Sequence, residues 1–257
     1  PCCTWPAPEG SLLRLAPQLV HVNHDPFAGA MNFTKYSYNP FFPLALGDLN
    51  GDGLLDMVIG DGNWEGNLLF FRNHGTLQTP QFVLDGQNPF GIFSGECDFL
   101  ALGDLNGDGL LDAVVGVYSY MHLILNTGTR QAPLFKAASA DQNPFEDFDA
   151  ADKGGSAALG DLDGDGLLDV VVGHGNGSLV FYRNNGTLQT PRFVHVKADP
   201  FSCTNKSGHL LCDQNQNKPY LGAPVLGDID NDGLIDVVVG QAGGNVAVFS
   251  NIGTLNA

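Results

Sequence analysis

Four short segments of the sequence are rich in aspartate and place side-chain oxygens at alternate positions. In the first, which runs from Asp48 to Asp56, oxygen-bearing side chains stand at positions 1, 3, 5 and 9, and Gly53 stands at position 6. Alternate spacing in a tight loop directs these oxygens at one centre, and the carbonyl of position 7 can add another ligand. Because the donors are hard oxygens without Cys or His, the pattern predicts calcium rather than zinc or copper.

The pattern recurs in all four segments, so we predict about four calcium ions, one in each loop. Carboxylates about 4 Å apart repel one another by roughly 1 to 4 kcal/mol per pair, so such loops are expected to need a cation. The predicted ligands, with each leucine acting through its carbonyl, are Asp48, Asn50, Asp52, Leu54 and Asp56; Asp104, Asn106, Asp108, Leu110 and Asp112; Asp161, Asp163, Asp165, Leu167 and Asp169; and Asp228, Asp230, Asp232, Leu234 and Asp236.

The overall charge of the chain fits these metal sites. The formal net charge is −17, from 28 acidic and 11 basic residues, and 14 of the acids lie in the four loops. Four bound calcium ions would bring the charge to about −9. An acidic surface repels nucleic acid and anionic lipid, and no apolar run of 18 residues is present, so we expect neither nucleic-acid binding nor membrane insertion.

The Asp loops belong to a longer repeat. Their first aspartates, Asp48, Asp104, Asp161 and Asp228, are 56, 57 and 67 residues apart. Each loop is followed by short apolar runs such as Met57 to Ile59, an Asn-x-Gly-Thr turn, and in three of the four repeats a Pro-x-Phe/Leu segment, whose remaining copy begins at Pro17 before the first loop. Runs this short and rich in β-branched residues predict strands. Units of four strands are typical of β-propeller blades.

We therefore predict an all-β fold: a β-propeller of four four-stranded blades at residues 17–257, preceded by an N-terminal tail at 1–16. The segment Gln18 to Val22 is expected to pair beside the last strand, Val246 to Ser250, and so to close the ring. The alternatives are part of a larger propeller, or a ring shared with another chain. The chain starts at Pro1 without a basic and apolar leader, which we expect of a mature or trimmed form.

Two short recurring motifs have structural interpretations. In Asn-x-Gly-Thr, the asparagine is expected to cap its own turn and the glycine to adopt a positive φ. The Asn-Pro-Phe and Asp-Pro-Phe tripeptides that end at Phe27, Phe90, Phe145 and Phe201 recur at one repeat position. We expect these phenylalanines to pack between blades.

The Asp-x-Asn/Asp-x-Asp-Gly-x-x-Asp loop followed by an apolar strand resembles the FG-GAP/VCBS repeat family, the calcium-loop propeller repeats of integrin α-chain heads and of a fungal lectin. The resemblance extends over residues 17–254 and implies one calcium ion in a loop of each blade. The loops are not EF-hands, because an apolar residue replaces the glutamate at position 12. Asn231, at position 4 of the fourth loop, departs from the glycine of the other three.

For function, we expect a non-enzymatic, calcium-binding interaction or assembly module outside the cytosol, with a protein or glycan partner. The alternative is a calcium-dependent lectin, suggested by the family and by the aromatic residues Trp64, Tyr118 and Tyr120. An enzyme is not expected, because the histidines form no recurring group and no nucleophile or phosphate motif is present.

An extracellular, cell-surface or lumenal location is expected from the cysteines and the glycosylation sequons. Cys203 and Cys212 lie in one polar insertion and are predicted to form a disulfide, while Cys97 could pair with Cys2 or Cys3. The predicted N-glycosylation sites are Asn32, Asn176, Asn185 and Asn205.

Overall fold

The computed structural model describes strands and the Asp loop in each of the four repeats. The described residues are 43–60, 68–86, 89–90, 97–117, 120–138, 143, 145, 155–174, 179–197, 201, 222–241 and 246–253. All regular structure in these ranges is β-strand. Within the same residues, no helix has the length and apolar character needed to span a bilayer. The segment Gln18 to Val22, which is predicted to close the ring, lies outside the described residues.

Fifteen strands form four antiparallel sheets, arranged as the blades of a four-bladed β-propeller. Blade 1 comprises β1 (Leu44–Gly47), β2 (Asp56–Gly60), β3 (Leu68–Asn73) and β4 (Phe82–Leu84). Blade 2 comprises β5 (Cys97–Gly103), β6 (Asp112–Val117), β7 (Tyr120–Asn126) and β8 (Phe135–Ala137). Blade 3 comprises β9 (Gly155–Gly160), β10 (Asp169–His174), β11 (Leu179–Asn184) and β12 (Phe193–His195). Blade 4 comprises β13 (Gly222–Gly227), β14 (Asp236–Gln241) and β15 (Val246–Phe249) among the described residues.

The second strand of each blade lies in the middle of its sheet and is apolar on both faces. In β2, Val58 faces blade 2, whereas Met57 and Ile59 lie on the opposite face with Phe71. All three residues of this run are buried. A strand buried on both faces is a continuous run of β-branched and other apolar residues, as the sequence predicted.

Successive blades pack face to face through apolar clusters, and the predicted inter-blade phenylalanines lie in them. Phe90 stacks on Phe135 of blade 2, with ring centroids 4.0 Å apart. Phe145 stacks on Phe193 of blade 3 at 4.6 Å, and Phe201 meets Phe249 of blade 4 edge-on at 5.2 Å. Their burial confirms the structural interpretation of these three tripeptides. Phe27 of the fourth tripeptide lies outside the described residues.

The outer faces of the first and last blades are the more exposed. Leu44 and Leu46 of β1 are 57% and 50% exposed. On blade 4, Val225, Val246 and Val248 are 64%, 65% and 53% exposed, although the opposite face of the same sheet packs on blade 3. Among the described residues, blade 4 therefore has one apolar sheet face on which no other blade packs.

Candidate metal centres

Each Asp loop joins the first and second strands of its blade and is folded around the aspartate at position 1. Asp48 Oδ1 accepts hydrogen bonds from the backbone N–H of Gly51 (2.7 Å) and Asp52 (3.1 Å), and Oδ2 accepts one from Gly53 (3.0 Å). Asp104 and Asp161 accept the same three bonds in their own loops. The carboxylate thus satisfies donors that a tight turn would otherwise leave unpaired.

Two positions of each loop require a left-handed backbone. Gly51 and Gly53, at positions 4 and 6, have φ of 74° and 84°, and the second and third loops repeat this. In the fourth loop, Asn231 at position 4 has φ of 63°. Asparagine tolerates this region better than other residues with a Cβ, which explains how the departure from glycine is accommodated. The sequence had indicated the turn requirement at position 6 alone.

The aspartate at position 9 ties its loop to the third strand of the same blade. Asp169 is fully buried, and its Oδ2 accepts the N–H of Leu162 (3.0 Å) while Oδ1 accepts the N–H of Asn184 (2.8 Å). Asp56, Asp112 and Asp236 make the equivalent two bonds. This residue therefore has a structural role in addition to the predicted ligand role.

Burial makes three of these carboxylates, Asp56, Asp112 and Asp169, hard to ionise when no cation is near, whereas the hydrogen bonds from Asn251 and Ile229 lower the pKa of Asp236. Desolvation raises the pKa of Asp112 to about 6 and that of Asp169 to about 7, against the two backbone hydrogen bonds, which lower both. Neighbouring carboxylates, Asp163 and Asp165 in the third loop, raise the pKa of Asp169 further. Burial also raises the pKa of Asp56. A bound cation would offset this cost.

Carboxylates converge in the third and fourth loops. The groups Asp161, Asp163, Asp169 and Asp228, Asp230, Asp236 each have carboxylate oxygens within 4.8 Å of one another. These are positions 1, 3 and 9 of the predicted ligand sets. The position-5 carboxylates Asp165 and Asp232 lie outside the two groups, and their Oδ1 atoms accept the N–H of Leu167 and Leu234 at position 7.

The donor chemistry fits a hard divalent cation. Asp163 Oδ2 is buried and makes no hydrogen bond to a described group, although the guanidinium of Arg183 contacts it. A buried carboxylate oxygen without a hydrogen bond needs positive charge beside it. In the first and second loops position 3 is Asn50 and Asn106, whose amide oxygens also suit such a cation.

The Asn-x-Gly-Thr turn is structural, but its glycine has a different role from the one predicted. Asn184 Oδ1 accepts the N–H of Gly186 (3.2 Å) and Arg192 (3.0 Å), so the asparagine caps the turn as expected. The expectation of a positive φ was wrong for Gly75, Gly128 and Gly186. Glycine is needed there because an added Cβ would lie 2.1 to 2.3 Å from a backbone carbonyl oxygen across the turn.

The other predicted sites fall mostly outside the described residues. These are Cys203, Cys212, Asn32, Asn176, Asn205, Trp64 and Tyr118. Asn185 is exposed at its turn, and glycosylation there stays a prediction. Cys97 is 1% exposed in the core between blades 1 and 2.

Comparison with known proteins identifies the repeat. The model of the FG-GAP-like repeat matches residues 48–115 and 104–172. Integrin alpha-5 of Xenopus laevis is 23% identical over 207 residues, which cover 70% of this chain and 19% of the integrin. The chain thus spans about a fifth of the length of this curated relative.

Two solved structures resemble the fold. One is an Agrocybe aegerita lectin described as recognising non-reducing terminal N-acetylglucosamine, with 23% identity, a TM-score of 0.49, and coverage of 83% of this chain and 50% of the lectin. The other is the rhamnogalacturonan lyase YesW, with 15% identity, a TM-score of 0.35, and coverage of 82% of this chain and 42% of the lyase.

The sequence led us to expect no enzyme, yet one of the structures similar to this chain is itself an enzyme. We therefore withdraw that expectation. The likeness to the lyase assigns no activity to this chain.

The identity of the repeat follows from the matching family model, the related integrin and the recurring Asp loops between the first two strands of each blade. The chain contains FG-GAP-like repeats, which the family model matches over residues 48–172.

Proposed function

We propose that this chain is a calcium-binding β-propeller that acts outside the cytosol as a protein-interaction or assembly module. Calcium is supported by the oxygen-only donor sets, by the converging carboxylates of the third and fourth loops, and by the buried aspartates at position 9. The relationship to an integrin supports the location outside the cytosol.

The observation that carries the interaction role is the exposed apolar face of blade 4. Val225 and Val248 lie on either side of Val238 in the sheet register, and Val246 lies opposite Gly240 on the neighbouring strand. Three of these valines are more than half exposed. A contiguous apolar patch on a soluble protein is typical of a surface that binds another protein.

The two ends of the strands differ in what they offer a partner. The Asp loops and the Asn-x-Gly-Thr turns join the strands at one end of the sheets, and the bonds from position 9 to the third strand link them. The connections from second to third strands, 61–67, 118–119, 175–178 and 242–245, leave from the opposite end and differ in length and sequence. The end of the sheets with the Asp loops is therefore similar in every blade and would be stiffened by bound metal. The connections at the opposite end can vary in sequence and so could form a specific binding surface.

The lectin alternative has less support in the described residues. Tyr120 is 67% exposed beside His122, with ring centroids 6.4 Å apart, and exposed aromatic residues suit sugar stacking. The residues before Leu68 and Leu179 at the corresponding place are Asn67 and Ser178. An aromatic residue in one blade does not make a repeated sugar site, so we favour the protein partner.

The test is affinity capture from a secreted and cell-surface protein fraction with calcium present. Wild type should recover a reproducible set of proteins, and the double variant Val225→Lys, Val248→Lys should lose them because two charges then interrupt the apolar face. Leu77→Lys is the matched control, since Leu77 is 78% exposed on a turn of blade 1. Recovery unchanged by the valine substitutions, or binding to glycans alone on an array, would refute the proposed role of this face.

Calcium binding should also weaken in acid. The folded-state pKa values of Asp112 and Asp169 are raised to about 6 and about 7, so both carboxyls bind protons that calcium must displace. The stability of the metal-free protein depends on pH in the opposite direction. Because the two pKa values are higher in the folded state than in the unfolded chain, they add to the free energy of unfolding below about pH 4, and this contribution is lost as the pH rises through 6 and 7. We expect calcium titrations at pH 5.5 to give affinities at least several-fold weaker than at pH 8. Equal affinities at the two pH values would contradict this assignment.

A further inference from the structure

One strand position distinguishes the third Asp loop from the others. The residue before the asparagine of the Asn-x-Gly-Thr turn is Arg72 in blade 1, Leu125 in blade 2, Arg183 in blade 3 and Ser250 in blade 4. Arg183 Nε contacts the carboxylate of Asp163, and its Nη2 lies 3.8 Å from Asp165 Oδ2. Both acids belong to the predicted ligand set of the third loop.

The arginine of blade 1 takes a different partner. Arg72 Nη2 lies 2.7 Å from Asp85 Oδ2, and its guanidinium lies over the ring of Phe70 at 5.6 Å. The residue that corresponds to Asp85 in blade 3 is Val196, because both donate their N–H to the same position of the third strand. Position 3 of the first loop is Asn50, where the third loop has Asp163. Blade 3 therefore has no acid at the position of Asp85, and Arg183 instead contacts Asp163 in the loop.

Arg183 changes the net charge at the third loop. The first and second loops have three carboxylates each, and the third and fourth have four. Arg183 reduces the net charge of the third loop from −4 to −3, whereas Ser250 leaves the fourth loop at −4. Among the described residues Arg130 also reaches an Asp loop, but its Nη2 lies 3.4 Å from the backbone carbonyl of Gly109 and not from a carboxylate.

We propose that Arg183 is a built-in competitor for calcium at the third loop. In the metal-free protein its guanidinium neutralises part of the acidic cluster, and calcium must displace it from Asp163 and Asp165. The Arg183 side chain is half exposed, so it can turn towards solvent when calcium binds. The third loop then binds calcium less tightly than the fourth, although both have four carboxylates. This inference rests on the proposed function of the Asp loops as calcium sites.

Calorimetric calcium titration of the whole chain tests the proposal, using Arg183→Leu, which places there the residue that Leu125 provides in blade 2. One calcium constant should tighten by about tenfold, as expected when calcium no longer has to separate a contacting pair of opposite unit charges in a water-like dielectric. Arg72→Leu is the matched control: Arg72 pairs with Asp85, and its charge is the smallest of the influences on the pKa of Asp56 in the first loop, so every constant should stay within about threefold of wild type. If Arg183→Leu does not fold, Arg183→Gln is titrated in its place, with the same expectation.

A double-mutant cycle separates competition from a merely structural role. In an Asp163→Asn background, which copies position 3 of the first loop, the gain from Arg183→Leu should shrink to less than about threefold because the contact is already absent. Unchanged or weaker calcium binding in Arg183→Leu, or an undiminished gain in the Asp163→Asn background, would overturn the proposal. A wild-type chain that binds no calcium would instead refute the function on which the proposal rests.

Discussion

Removing calcium is expected to lower the melting temperature of this protein by a large amount. A ligand that binds only the native state adds about 2.7 kcal/mol per site at a hundredfold excess over Kd, so four sites would add about 11 kcal/mol. The structural reason is the crowding of carboxylates, because those at positions 1, 3 and 9 of the third and fourth loops lie within 4.8 Å of one another. Thermal unfolding with millimolar calcium and with excess chelator measures the difference.

A single substitution assigns this effect to a loop. Asp165→Ala removes the position-5 carboxylate of the third loop and should lower the melting temperature in calcium more than Gln189→Ala, a control on an exposed turn of the same blade. In excess chelator the two variants should differ little. A melting curve that chelator leaves unchanged would show that the loops hold their structure without metal.

Asp169→Ala should destabilise the protein by about 2 to 4 kcal/mol even in chelator. The substitution removes the acceptor of two backbone donors, the N–H groups of Leu162 and Asn184, and an unsatisfied buried donor costs about 1 to 3 kcal/mol. Part of the loss is offset because the buried carboxylate is itself costly to ionise, as its raised pKa shows. Chemical denaturation in chelator measures the change.

Position 5 of the same loop provides the comparison for this effect. Asp165 has a partly exposed side chain and accepts a hydrogen bond from Leu167 within its own loop. Asp165→Ala should therefore cost less than Asp169→Ala in chelator, although both remove a predicted ligand. If the two variants lose equal stability, and only when calcium is present, position 9 has no structural role beyond metal binding.

The sequence predicted the propeller, the strands and the loops because each depends on local patterns. Strand β10 follows from the apolar run Val170 to Val172, and the loop from aspartates at fixed spacing. The bond from Asn184 to Asp169 could not be predicted in this way, because it joins residues 15 apart whose meeting depends on the register of two strands.

Contacts that the sequence pattern does not show explain the other differences. A positive φ was expected for the glycine of the Asn-x-Gly-Thr turn, but the backbone across the turn requires glycine: a Cβ on Gly75 would lie 2.1 Å from the carbonyl oxygen of Thr79. The contact between Arg183 and Asp163 likewise depends on what the adjacent strand offers. Sequence periodicity predicts which residues form a strand. It does not predict which residue the charged end of a long side chain contacts.

The number of calcium ions bound by the folded chain tests the central claim most directly. Four loops that each place oxygen donors at positions 1, 3, 5 and 9 predict about four ions per chain, and anomalous scattering from crystals grown in millimolar calcium would count and locate them. We predict one ion in each loop, beside Asp48, Asp104, Asp161 and Asp228. Two or fewer occupied loops at that concentration would contradict it.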